Sequence, residues 1–375
     1  MTVIKSIKGE DQNDALLKLL NSLFDTRSFD ELLVPVSTDS GQNAIPTLIR
    51  DKKILARVEP LSPVTNSSSA TLLVQMTEEH NETKLGALVR PCEARAVVEL
   101  TKLKQIVPDN LLIISTDCLG TFSMRNYGNL IKAGKTGKQL LEGLMKDRFA
   151  EPEKDTGIRE ACRLCEFRQS PTADIKVEFI GLDGGNELIA VGQTEKGDEV
   201  LKGLDLPDAE EPSGREAKLK EYAEQTENAW KERSQELDSM TATPEDLDRS
   251  MDLCIKCLNC MNMCPICYCK ECFFKSAPVM PSPTQYSRRA TKKGALRMPS
   301  DKMLFQLGRM NHMITSCVQC GQCLEACPND VDYLRQFPYM AKHIQKIFEY
   351  VAGRSMDEPL PLADFNEHEL EDTSD

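Results

Sequence analysis

Eight of the fifteen cysteines in this chain fall into two copies of one pattern, Cys-x2-Cys-x2-Cys-x3-Cys-Pro. The first copy is Cys254, Cys257, Cys260 and Cys264 before Pro265. The second is Cys317, Cys320, Cys323 and Cys327 before Pro328. In such a run three thiolates bind one [4Fe–4S] cluster and the fourth ligates the other. Two complete runs therefore supply two clusters with no ligand missing, and the chemistry is one-electron transfer. Each iron corner of a cubane needs one soft thiolate to complete a tetrahedral sulfur site. Two-residue gaps let a tight loop wrap three corners, and the fourth Cys, stopped by Pro, anchors the far side. Zinc tetrathiolates also use paired Cys-x2-Cys units, but they do not account for two successive runs of four ending in Pro. A zinc-stabilised assembly scaffold is the rival class.

Four further cysteines have a spacing that becomes meaningful once the elements around them are read. The apolar runs Leu85–Val89 and Leu111–Thr116 have strand length, and Glu93–Val107 between them carries a helical stripe closed by Pro108-Asp109. This is one βαβ unit with parallel strands. Cys92 follows its first strand and Cys118 its second, which places both thiols at the carboxyl edge of the sheet, where open α/β sheets bind cofactors. Cys162 and Cys165 supply two more thiolates from a loop, and the four together make a third [4Fe–4S] site. Buried small hydrophobes or a zinc site are the alternatives for these four. Cys267, Cys269 and Cys272 follow the first run directly. They either pair with Cys162 and Cys165 at a cluster between domains or shield the adjacent cluster.

The elements that must hold these residues divide the chain. Residues 1–205 read as an α/β domain with a parallel βαβ core. Besides the two strands above, strands are expected at Glu31–Val36, Thr71–Met76, Lys176–Ile180 and Glu187–Val191, the last two flanking a turn at Asp183-Gly184-Gly185, and a helix over Lys138–Phe149. Residues 206–250 are charged and read as a helical connector, with Thr243-Pro244-Glu245-Asp246 as a helix start. Residues 251–351 form an α-helical dicluster ferredoxin-like domain. The 52 residues between Cys264 and Cys317 are too many for a compact β-rich ferredoxin, and they include a Pro-rich loop (278–283) and a helix over Ser300–His312. Within the same insert Arg288, Arg289, Lys292, Lys293 and Arg297 read as a solvated basic loop. Met303, Met310 and Met313 sit at helical intervals and read as core.

Composition bounds the rest. At 375 residues the chain can bury two cores. Fifteen cysteines with no apolar signal segment point to metal ligation in a reducing, cytoplasmic setting, and no apolar run has the length of a membrane span. The net charge of −13 and a single Trp argue against nucleic acid. Residues 352–375 form an acidic tail: after Arg354 there are eight acids and no Lys or Arg. His80, His312, His343 and His368 show no ligand spacing. There is no Gly-x-Gly-x-x-Gly fingerprint, P-loop or Ser-His-Asp set, so the chemistry belongs to redox cofactors.

Several segments carry a family resemblance. Arg90-Pro91-Cys92-Glu93-Ala94-Arg95-Ala96, Thr116-Asp117-Cys118-Leu119-Gly120-Thr121-Phe122, and Cys162-Arg163-Leu164-Cys165 through Ala173-Asp174-Ile175 resemble the β subunit family of coenzyme F-420-reducing hydrogenases and dehydrogenases. The run from Cys264 to Cys272 resembles the formate dehydrogenase β branch, and the likeness spans roughly Lys84 to Tyr333. It implies an FAD-containing iron–sulfur subunit that exchanges electrons between F-420 and a catalytic α subunit carrying a molybdenum or tungsten pterin. Arg90, Thr116 and Asp117, at the sheet edge beside Cys92 and Cys118, are then the expected flavin contacts. The Gly pair that such subunits carry at an N-terminal helix is absent here; Ser40-Gly41-Gln42-Asn43 is the nearest element. A flavin-free wire to a heterodisulfide-reductase-like or quinone-linked module is the alternative redox reading.

Overall fold

The computed structural model describes residues 2–79, 82–148, 157–182, 185–277, 279–296 and 298–364. Its centre is a seven-stranded mixed sheet in the order β1-β7-β6-β5-β4-β2-β3. The strands are β1 (Ile4–Lys8), β2 (Glu31–Ser37), β3 (Ala44–Ile49), β4 (Leu85–Val89), β5 (Leu111–Thr116), β6 (Ile175–Glu178) and β7 (Glu187–Gly192). Strands β2, β4, β5 and β6 pair in parallel. Strands β3, β7 and β1 are antiparallel to their neighbours, so the parallel arrangement accounts for the middle of the sheet and not its edges.

Side chains alternate across the sheet with period two, and each face has its own core. Leu88, Leu112 and Ile114 face one layer, built on α1 (Gln12–Asp25), α4 (Met124–Lys132) and α5 (Gly137–Lys146). Leu85, Ala87, Val89, Leu111 and Ile113 face the other, with α2 (Ser69–Glu79) and α3 (Pro91–Lys102). That second core continues without a break into the cysteine-rich C-terminal region, taking in Cys254, Cys260, Cys264 and Cys323. The boundary expected at 250/251 is thus crossed by one hydrophobic core.

The remaining helices are α6 (Glu160–Arg163), α7 (Glu195–Lys202), α8 (Arg215–Ser239), α9 (Pro244–Ser250), α10 (Asn259–Asn262), α11 (Pro283–Lys293), α12 (Lys302–Met313), α13 (Gln322–Glu325) and α14 (Gln336–Ile347). Helix α8 does more than connect: Tyr222, Thr226 and Trp230 are buried at four-residue intervals on one face. The start predicted at Thr243 is observed, with its side chain accepting from Asp246 N–H.

Three expectations are corrected. Thr71–Met76 is not a strand but the middle of α2, because Ala70, Leu73 and Thr77 are buried at helical spacing. The helix expected to reach Val107 stops at Lys102. Lys104 is left-handed (φ 58°), and Gln105 N–H bonds back to Leu100 O at 2.8 Å, which closes the helix end. The basic segment is no loop: α11 begins at Pro283 with Ser282 and Gln285 capping each other and ends at left-handed Gly294, and it buries no residue. Arg297, Asp183, Gly184, Pro278, Phe149, His80 and the acidic tail from residue 365 lie outside the described residues. The first residues of that tail are docked instead, since Ala352 and Gly353 are buried against α3.

Candidate metal centre

The two cysteine runs fold alike. In each, the residues on either side of the middle Cys are left-handed: Lys256 (φ 53°) and Leu258 (66°) in the first, Gln319 (60°) and Gly321 (70°) in the second. Those reversals curl three thiols around one point, and a single turn of helix (α10 or α13) then carries the third Cys. For three of the four positions the conformation costs about 1–2 kcal/mol, because the residue is not Gly. Burial of Lys256, which donates to Val279 O at 2.7 Å and pairs with Asp301, holds the first loop in place.

The fourth cysteine of each run reaches across. One cavity is lined by Cys254, Cys257, Cys260 and Cys327. Another is lined by Cys264, Cys317, Cys320 and Cys323. Gln306 donates to Cys254 Sγ at 3.4 Å, and Val331 N–H to Cys327 Sγ at 3.5 Å. Burial pushes the Cys260 and Cys317 thiols up to about 12. Such thiols ionise only against a bound positive charge, which iron provides. Among the described residues no group of three or more His, Cys, Asp or Glu is placed to hold a single metal ion.

The third set is assembled by the sheet edge and two loops. Cys92 occupies the first turn of α3, where backbone N–H groups favour a thiolate. Burial and the neighbouring Glu93 charge outweigh them and push its thiol well up. Cys118 follows β5, and its N–H donates to Arg168 O at 2.8 Å. Cys92 faces the charges of Cys118, Cys162 and Cys165. Cys162 differs from the others. Burial raises its thiol, but the Arg159 guanidinium together with Thr121 N–H and hydroxyl brings it below the ordinary thiol range. The loop is fixed by arginines: Arg148 bridges Leu119 O and Cys162 O, and Arg168 bridges Cys162 O and Cys165 O. Trp230 on α8 donates to Leu164 O at 2.8 Å.

This third set adjoins the second cavity. Cys320 faces Cys92, and Arg95, stacked 3.5 Å over Phe167, donates to Val318 O and faces Cys165, Cys92 and Cys317. The fit to an anionic group is written in the arginines: Arg159 Nε and Nη1 and Arg95 Nη2 are buried with no hydrogen-bond partner, a costly state unless an acceptor is supplied. Sulfurs of a thiolate-bound cluster are such acceptors.

Cys267 belongs with the first run and not with Cys162 and Cys165. It hydrogen-bonds Cys264, holding that thiol below its ordinary range, and contacts Met313 at 3.6 Å. Cys272 lies 3.8 Å from Met261 Sδ, and Cys269 is exposed.

Two of the expected flavin contacts have partners within the chain. Asp117 accepts from Phe179 N–H and Ile180 N–H, both at 2.9 Å, and pairs bidentately with Arg215 at 2.6 and 2.8 Å. Arg90 donates to Ser62 O and Val64 O, each at 2.9 Å. Thr116 is buried in β5 opposite Val177. The Asp117 carboxylate and Arg90 Nη2 are thus committed within the chain. The arginines around the cysteines went unread in the sequence, although Arg309, sharing a helical stripe with Phe305, Met310 and Met313, was a signal that could have been followed.

Comparisons with known proteins place this geometry. Residues 250–331, which hold both four-cysteine runs, match the family model described as a 4Fe-4S dicluster domain. Along nearly its whole length the chain is similar to β subunits of F420-dependent formate dehydrogenases, which bears out the resemblance read from the sequence. It is 25% identical to the F420-dependent formate dehydrogenase subunit beta of Methanocaldococcus jannaschii, over 92% of this chain and 93% of that protein. It is 28% identical to the F420-dependent formate dehydrogenase 1 subunit beta of Methanococcus maripaludis, over 95% and 94%. A chain of the F420-reducing [NiFe] hydrogenase complex from Methanosarcina barkeri aligns with TM-score 0.48 and 15% identity, covering 65% of this chain and 94% of that one. No helix among the described residues is long and apolar enough to cross a membrane.

Proposed function

We propose that this chain is the iron–sulfur β subunit of a formate dehydrogenase-like oxidoreductase, holding three [4Fe–4S] clusters in a row. The observation that carries the reading is the crosswise sorting of eight cysteines into two cavities of four, with Cys92 of a third set beside Cys320 of the second. Bound at these positions, the clusters would supply one-electron transfer. The residues' own work is to hold, space and insulate. Cys254, Cys257, Cys260 and Cys327 hold one end; Cys264, Cys317, Cys320 and Cys323 the middle; Cys92, Cys118, Cys162 and Cys165 the other end. Phe305, Met313 and Phe337 keep water from the first two.

The first end is where electrons enter or leave the partner. Cys257 is exposed, flanked by Leu253 and Ile255, which are 58% and 59% exposed. Single exposed apolar residues are ordinary; two beside an exposed ligand suit a face that a catalytic subunit covers. By likeness to the formate dehydrogenase β subunits that subunit is a molybdenum or tungsten pterin enzyme, and the acceptor at the far end is F-420. FAD is the finest part of this reading and rests on the resemblance alone.

The test is anaerobic isolation of the native complex followed by iron, sulfide, flavin and pterin analysis and formate-driven F-420 reduction. Iron and pterin present with formate reducing F-420 is the expected result. Zinc in place of iron would return the chain to the scaffold reading. Iron without flavin would favour a wire to a heterodisulfide-reductase-like or quinone-linked module.

A further inference from the structure

Helix α12 runs past both four-cysteine cavities. Phe305 and Gln306 line the first, and Met313 lines the second. Arg309 lies between them, three residues after Gln306 and four before Met313, hence on the same helical face. Its side chain is 2% exposed, its Nε, Nη1 and Nη2 find no well-formed hydrogen bond, and the acceptors within their reach are the sulfurs of Cys323 and Cys267. The Phe337 ring covers the guanidinium with its centroid 4.3 Å away, so the N–H groups project edgewise. The groups whose charge it meets are Cys260 of the first cavity, Cys264 and Cys323 of the second, and Cys267. A fully buried cation whose acceptors are neutral thiols alone is among the costliest features a core can carry. Here it sits between two places that each gather four sulfurs.

We infer that Arg309 is the common counter-charge of both cluster sites, a positioning residue whose N–H groups point to sulfur on either side and favour an added electron at each. The inference rests on the cluster reading above. Its physical content is that one charge in a low-dielectric interior acts on two redox sites at once, so removing it moves both in the same direction. Cys267, on the same guanidinium, completes the buried polar set beside the second site.

The full-length chain, reconstituted anaerobically, would be titrated potentiometrically with low-temperature EPR as wild type, Arg309→Gln and Arg309→Lys. In Arg309→Gln both sites should become harder to reduce. The reduced-to-oxidised ratio at fixed potential should fall about tenfold, which is about 59 mV for a one-electron couple. Arg309→Lys, keeping the charge but losing the fork, should recover part of the shift at both sites. If the Gln variant does not hold iron, the Lys variant decides the matter by a smaller negative shift at both. Unchanged potentials in loaded variants, or a shift at one site alone, would overturn the inference. Guanidino-15N labelling gives a second reading: in Arg309→Lys, hyperfine coupling should be lost at the reduced site of Cys254, Cys257, Cys260 and Cys327 and weakened at the other, where Arg95 still faces Cys317. A wild-type chain that takes up no iron would sink the cluster reading itself, a different failure from loaded variants that titrate alike.

Discussion

A side chain on Gly321 would collide with Ala161: a Cβ added there lies 2.4 Å from the Ala161 Cβ. The second cysteine loop is therefore pressed onto the helix that carries Cys162, and the second and third sites share a wall. Gly321 is also left-handed, at φ 70°. Gly321→Ala should cost about 1–2 kcal/mol for its backbone and about 1–3 more for overpacking. Gly294→Ala is the control, left-handed at φ 78° with nothing near its added Cβ; it should lose only the backbone part. Denaturant unfolding and iron content would be compared. Equal losses in the two variants would show that the contact with Ala161 is not tight.

The crosswise cavities make a site-by-site prediction. Cys264→Ser should perturb the spectrum of the site held by Cys317, Cys320 and Cys323. Cys327→Ser should perturb the site of Cys254, Cys257 and Cys260. EPR of each reduced variant checks this, and the reverse assignment would contradict the cavity linings.

The third site sets the iron count. Four irons per cubane give about twelve per chain. Cys162→Ser or Cys165→Ser should lower this to about eight while the dicluster signals persist. Iron analysis of reconstituted protein decides: about eight irons in the wild type would remove the third cluster.

Asp117 gives a prediction on stability. Its carboxylate and Arg215 are both buried and paired at two points. Asp117→Asn leaves a buried guanidinium short of its partner and should cost about 3–5 kcal/mol. Flavin content per folded chain should not change. Selective loss of flavin from a variant of unaltered stability would restore Asp117 as a flavin contact.

What the sequence made legible was local. The cysteine spacings mark the two loops because each encodes its own pair of left-handed residues and single helical turn. Strands β4 and β5 and the helix between them were legible because apolar runs and a helical stripe alternate there without ambiguity. Thr71–Met76 misled because its alternate residues Leu72, Val74 and Met76 are apolar, as on one face of a strand; the burial of Ala70, Leu73 and Thr77 decides for helix. Edge strand β3, although it pairs with the preceding β2, is obscured by Pro46 at its middle, and edge strand β1 has its partner β7 far along the chain. The arginine shell stayed hidden for the same reason. Arg95 is on α3, Arg168 in a loop and Arg309 on α12, and nothing but the fold says that they surround sulfur.

Arg95 donates to Ala352 O, a residue 257 positions further along, and Glu99 on the same helix accepts from Tyr350 and Gly353. On the ribosome this face of α3 has to wait. The sheet can form earlier, but these partners of α3 are translated 257 and 254 positions after the residues they meet. Arg95 and Glu99 therefore gain these partners only after both cysteine runs have been made, so α3 reaches its final packing after them rather than before them.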